Sequence, residues 1–236
     1  MVYDLILDKS KKKKIAVLID PDKNERVSVL RTLEICSKCN IDFVMVGGSL
    51  VSSPIDDLVL EIKKNSKVPV VLFPGSILQI SKNADAILLL SLISGRNPEY
   101  LIGNHIIAAP ILKKINIEII PTGYMLIESG KFTTVQYISN TTPIPCDKTD
   151  IAVATAIAGE MLGLKLIYLE AGSGAMQNVP DAMISAVKSN VSIPIVVGGG
   201  IGNKQQLENA FKAGTDIIVI GNSLENKPEK LYQILK

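Results

Sequence analysis

Three oxygen-bearing side chains stand at or just beyond the ends of short apolar runs. Asp20 follows IAVLI, Ser49 follows DFVMV and two glycines, and Glu170 closes KLIYLE. A carboxylate and a hydroxyl at such ends are hard donors suited to Mg²⁺. Asp20 could equally cap a helix or turn the chain with Pro21. Glu170 lies two residues after Tyr168, so in a strand both side chains point the same way. Together they could hydrogen-bond a polyol, with Glu170 also available as a base. A structural glutamate paired with Lys or Arg is the other reading. A second chemistry comes from glycines. PIVVGGGIGN carries Gly198, Gly199, Gly200 and Gly202 before Asn203, and DIIVIGN ends in Gly221 and Asn222. Glycine is costly in an element interior, so a triple glycine at a strand end suggests a ligand close to the backbone.

The elements that must position these residues are legible as alternation. Continuously apolar, β-branched runs occur at 15–19, 42–46, 69–73, 86–90, 117–122, 165–170, 194–199 and 216–221. Such runs suit parallel strands buried on both faces. Helical spacing falls between most of them, at 24–39, 54–65, 97–114, 151–163, 179–190 and 203–213. Eight strands in alternation favour a closed (β/α)8 TIM barrel, an α/β fold, formed by residues 1–236 as one domain. FPGSILQISKNAD, after the third run, allows only a turn or loop where the third helix would stand. Residues 132–150 read as the longest irregular segment. In a barrel of this kind the loops after strands seven and eight form a common phosphate site, and Asn203 is placed to cap the helix that follows.

Composition excludes several classes. The net charge is +2, there is no Trp and only 4% of residues are aromatic, which argues against a dedicated nucleic-acid binder. Hydrophobic residues make up 47%, enough for a large core. No apolar stretch reaches a membrane-span length, and the start lacks a signal-peptide layout, so a cytoplasmic location is expected. Lys11–Lys14 read as a solvated face that could also favour anionic lipid or a diphosphate. Cys36 and Cys39 form a CxxC without a second ligand pair, and Cys36, on the apolar stripe with Val27, Leu30 and Leu33, is better read as a buried helix cysteine than as part of a zinc or redox motif. The sole histidine, His105, sits in an apolar helix pattern and reads as structural, away from the strand ends. No Ser-His-Asp set is present, which disfavours covalent acyl chemistry.

Seven stretches, in LIDPDK (18–23), MVGGS (45–49), SGRNPEYLIGNH (94–105), IIPTGYMLIESG (119–130), YLEAGSGA (168–175), VVGGGI (196–201) and IVIGN (218–222), resemble the geranylgeranylglyceryl phosphate synthase family in order and content. The resemblance covers roughly residues 14–224. It implies a Mg²⁺-dependent prenyltransferase joining a polyprenyl diphosphate to the C3 hydroxyl of sn-glycerol 1-phosphate. Asp20 and Ser49 would serve the metal and diphosphate. Tyr168, Leu169, Glu170, Ala171, Gly172, Ser173, Gly174, Gly199, Gly200, Gly221 and Asn222 would bind glycerol phosphate, with Glu170 and Asp20 as the catalytic pair. The resemblance also implies a loop for the third helix and a dimer or hexamer. A related branch, the heptaprenylglyceryl phosphate synthases, carries lysine two residues before the aspartate. Leu18 stands there instead. Two rival readings are another phosphate-binding barrel enzyme, such as an isomerase or lyase, and a non-catalytic phosphate binder.

Overall fold

A computed structural model describes residues 1–23, 26–224 and 227–235. Eight parallel strands close into a barrel, each paired with its chain neighbours and the last with the first. They are β1 (Lys14–Ile19), β2 (Phe43–Val46), β3 (Val70–Leu72), β4 (Ala86–Leu92), β5 (Glu118–Leu126), β6 (Leu166–Glu170), β7 (Ile195–Gly198) and β8 (Ile217–Ile220). The continuous apolarity of the strands has a direct cause. One set of alternate residues, including Phe43, Met45, Leu88, Tyr168 and Val219, fills the barrel interior. The other set, including Val44, Val46, Leu72, Leu169 and Val197, packs outward against the helices. A strand buried on both faces has no polar position to alternate with.

The helices are α1 (Val2–Leu7), α2 (Arg26–Lys38), α3 (Ile55–Asn65), α4 (Asn104–Ile115), α5 (Thr134–Ser139), α6 (Thr149–Met161), α7 (Asp181–Asn190), α8 (Lys204–Lys212) and α9 (Lys230–Leu235). The chain between β3 and β4 forms no helix, as its composition indicated. The helix read from residue 24 begins at Arg26 in the structure, since residues 24 and 25 lie outside the described residues. Asn203 caps α8 by accepting a hydrogen bond from the Gln206 amide at 3.0 Å. Cys36 is fully buried on α2, and burial pushes its thiol up to about 12, as suits a core cysteine.

Three local expectations need correction. The segment 132–150 is not wholly irregular, because Thr133 and Gln136 form a reciprocal capping box that starts α5. β5 runs four residues past the expected end at Thr122. Pro121 does not stop it: Leu89 pairs with Pro121 and Ser91 with Gly123 without a break in the ladder. The third concerns the basic run, which lies at the N-terminal end of β1, opposite the strand C-termini, and therefore cannot serve a diphosphate there. Its lysines have local work: Lys14 is buried with its ammonium 2.9 Å from the Asp8 carbonyl, and Lys11 pairs with Asp42 at 2.6 Å.

That same end of the barrel is closed by α1, which sequence periodicity did not reveal. Val2 and Ile6 join the interior cluster. The Glu118 carboxylate, at the first residue of β5, accepts the amides of Val2 at 2.6 Å and Tyr3 at 2.9 Å. This satisfies two of the amides that a helix start leaves unpaired. Glu118→Ala should therefore lower stability by about 3 kcal/mol, the low end for two charge-assisted bonds. Denaturant unfolding checks this, and an unchanged midpoint would mean that α1 docks by its apolar contacts alone.

Candidate active site

The C-terminal ends of the strands surround a mouth of about 970 Å³. At its floor three rings meet. Phe73 stacks on Tyr168 with centroids 5.0 Å apart, and Tyr124 touches both at 5.9 and 5.4 Å. Packed against one another, the three rings close the barrel interior beneath the mouth. Tyr124 and Phe73 escaped the sequence reading. The signal was a tyrosine an even number of residues along an over-long strand, which the early stop at Thr122 hid.

Glu170 ends β6 among these groups and is 6% exposed. Its Oε1 accepts the Gly172 amide at 2.6 Å. Burial pushes the acid up to about 7, against the pull of that amide and of the nearby Tyr168 hydroxyl. The Tyr168 hydroxyl is itself buried and makes no hydrogen bond of ordinary length among the described residues. A buried donor of this kind favours a ligand hydroxyl as its partner. The glycines of the seventh strand end are explained by the same pair. A β-carbon at Gly198 would lie 2.2 Å from the Tyr168 hydroxyl, and one at Gly199 would lie 2.6 Å from Glu170 Oε1. Gly199 also sits at φ +82°, where a side chain is strained.

The loops after β6, β7 and β8 face one another across the mouth, bringing together Gly172, Ser173, Gly174, Gly199, Gly200, Gly221 and Asn222. Among the described residues, the amides of Ser173, Gly174 and Gly200 donate to no protein acceptor. Unpaired amides converging on a glycine-lined hollow form an anion cradle. Leu169 and Ala171 do not join it. Strand alternation turns Leu169 outward, and both side chains are fully buried in the layer between sheet and helices.

Asp20 lies on the opposite rim with its carboxylate 8% exposed as a residue. Its Oδ1 accepts the Asp22 amide at 3.1 Å, and Lys23 Nζ is 3.1 Å from Oδ2. A β-carbon on Gly48 would lie 2.8 Å from Oδ2, so the glycine keeps the space beside the carboxylate open. Ser49 follows at the same rim and lines both the mouth and the groove beyond it. Two residues hold this rim in place. Asp22 accepts the amides of Ser52 at 2.7 Å and Ser53 at 2.8 Å, tying the first loop to the second, and the Ser53 hydroxyl together with these amides holds its carboxyl well below the usual range. Gln79, 2% exposed, accepts the amides of Gly48 and Gly75 and donates to the Gly48 carbonyl at 2.8 Å. Gln79 was invisible in the sequence, since a lone glutamine in a loop has no motif.

From the mouth an apolar groove of about 870 Å³ runs out past the missing helix, sharing Gly48, Ser49, Phe73, Tyr124 and Val135 with it. Ile77, Ile80, Leu89 and Leu112 are among its walls. His105 also lines it, 3.2 Å by Nε2 from Ser91 Oγ, rather than standing apart from the strand-end region. Burial lowers its pKa, keeping the ring neutral.

A (β/α)8 barrel with an anion cradle after its last strands, a near-neutral buried acid and an adjoining apolar groove defines a phosphate-binding enzyme for an amphiphilic substrate. The chain belongs to the PcrB family, whose model matches residues 8–236. A geranylgeranylglyceryl phosphate synthase of Spirosoma linguale is 53% identical over 226 residues, 95% of this chain and 91% of that protein. The Pyrococcus furiosus protein of the same name is 43% identical, covering 94% and 88%. The (S)-3-O-geranylgeranylglyceryl phosphate synthase of Thermoplasma acidophilum, solved with its substrate sn-glycerol-1-phosphate, superposes with a TM-score of 0.93 at 33% identity, over 100% of this chain and 96% of that one.

The raised pKa of Glu170 has a measurable consequence for stability. Below about pH 4.5 the group is protonated in both states and adds no penalty. Between about 4.5 and 7 the folded protein holds a proton that the unfolded chain has lost, so stability falls as pH rises. The full penalty, roughly 3 kcal/mol, is present above about pH 7. Glu170→Gln lacks this titration. Its Tm relative to the parent should rise from pH 4.5 to 7 and then level off, and a pH-independent difference would contradict the buried-acid assignment.

Proposed function

We propose that this protein is a prenyltransferase that joins a geranylgeranyl-like polyprenyl diphosphate to the C3 hydroxyl of sn-glycerol 1-phosphate, releasing diphosphate. The observation that carries the reading is the shared wall. The anion cradle and Glu170 open onto the same floor from which the apolar groove departs. A small phosphorylated polyol fits the first, and a long hydrocarbon chain fits the second.

Glycerol phosphate would enter with its phosphate on the unpaired amides and its hydroxyls toward Tyr168 and Glu170. Glu170, poised near neutrality, would orient the C3 hydroxyl and accept its proton as the new C–O bond forms. The allylic carbon–oxygen bond to diphosphate breaks, and positive charge spreads over the first three prenyl carbons. Phe73 and Tyr124, which line both cavities, would stand beside that charge. The groove walls exclude water that would otherwise capture the cation.

We also propose Mg²⁺ as the cofactor. Among the described residues no cluster of three potential acidic, histidine or cysteine ligands exists. One carboxylate, Asp20, with Ser49 nearby and space kept by Gly48, fits an ion that takes most of its ligands from water and substrate phosphates. Bound there, Mg²⁺ would neutralise charge on the departing diphosphate. A homo-oligomer and peripheral membrane contact belong to the same reading. The exposed Ile102, Ile106, Ile107 and Ile111 offer an apolar face for a second copy, and Leu50, Leu78 and Phe132 on loops and Tyr137 on α5 stand exposed as well. Among the described residues no helix is long and apolar enough to cross a membrane. A cytoplasmic setting is part of the proposal.

Incubation with sn-glycerol 1-phosphate, Mg²⁺ and diphosphates of graded chain length tests the reading directly. The expected product has the summed mass less diphosphate, and kcat/KM should climb about tenfold per pH unit below about 7 before levelling. Asp20→Asn should retain the parent Tm and lose on the order of 10²-fold or more in kcat. No ether product with any chain length would overturn the proposal, and full turnover in excess chelator would remove the metal from it.

A further inference from the structure

We infer that Lys131 completes the phosphate site as its cationic wall, supplied by a strap that crosses from β5 to the loop after β6. The inference rests on the reading of the mouth as a phosphate site. A phosphomonoester carries close to two negative charges at neutral pH. Backbone amides and a helix end offer only fractional charges in return. Among the described residues lining the mouth, Lys23 is the one cation, and its ammonium lies against Asp20 on the far rim. β1 contributes no charge to the cradle either, because Leu18 packs on Gly221, 3.2 Å by Cβ from where a β-carbon there would stand.

Lys131 stands where that charge is missing. A β-carbon on Gly174 would lie 2.9 Å from Lys131 Nζ and 3.5 Å from Asn222 Oδ1, so the ammonium and the Asn222 amide flank one point above the cradle. The strap carrying it is anchored at both ends. The Ser129 carbonyl accepts the amides of Met176 at 3.2 Å and Gln177 at 3.1 Å. On the other side Thr133, 5% exposed, packs its methyl into the space that a β-carbon of Gly172 would need, 2.6 Å away, while capping α5. Gly172 and Gly174, both at positive φ, therefore do two jobs. They bend the loop, and they leave room for Thr133 and Lys131 above it. Lys131 is an exposed residue, so its side chain has room to move aside for the ligand and close on it afterwards.

Calorimetric titration with inorganic phosphate and with sn-glycerol 1-phosphate, without any prenyl diphosphate, tests the assignment. Lys131→Met should weaken both by roughly tenfold, the loss expected for one charge-assisted contact, and Lys131→Arg should restore most of it. The parent's affinity should fall with added salt more steeply than that of Lys131→Met. In turnover, KM for glycerol phosphate should move more than kcat. Equal, equally salt-dependent binding by parent and Lys131→Met would overturn the role of Lys131 while leaving the phosphate site standing. Failure of the parent to bind either ligand would overturn the phosphate-site reading, and this inference with it.

Discussion

Glu170 sits among aromatic rings at the floor of an open mouth, and the residues around it are arranged to keep it there with no cationic partner among the described residues. One amide, that of Gly172, bonds its Oε1. Gly198 and Gly199 are glycine because any side chain would occupy the space of the Tyr168 hydroxyl or the carboxylate. An acid held this way resists ionisation, and the folded protein is less stable for it above neutrality. That cost is intelligible at a site that must take a proton from an alcohol. A glutamate neutralised by lysine would be more stable and a weaker base.

The same floor explains why two chemically different cavities can share one barrel. Phe73, Tyr124 and Tyr168 close the interior beneath the polar mouth and give the apolar groove its starting wall. A helix after β3 would cover the region through which the groove leaves. Its place is taken by a loop, and Gln79 gives that loop shape by satisfying the Gly48 and Gly75 amides and the Gly48 carbonyl. One buried glutamine thus fixes both the groove entrance and the backbone beside Asp20.

The barrel was legible because its strands are apolar on both faces, a pattern that few other folds require. Glycines at strand ends pointed to the mouth, but at Gly198 and Gly199 the neighbours that require glycine are the Tyr168 hydroxyl and the Glu170 carboxylate. What stayed hidden was hidden by geometry. Leu169 and Ala171 lie inside the YLEAGSGA stretch, yet alternation sends their side chains outward. Tyr124 was hidden because the apolar run ends at Thr122 while the strand continues to Leu126. Gln79, Ser129 and Lys131 act across loops far apart in sequence, and no local spacing encodes that. α1 hides because six residues are too few for a periodic signal, and the Glu118 that anchors it is remote in the chain.

The central claim is that Glu170 is a buried acid poised near neutrality. Its direct test is the titration of the Glu170 carboxyl carbon, followed by NMR in protein labelled at glutamate and assigned by comparison with Glu170→Gln. The account predicts a midpoint of about 7 in the ligand-free protein. A midpoint near the ordinary glutamate value of about 4.3 would contradict it, and with it the base assigned to this site.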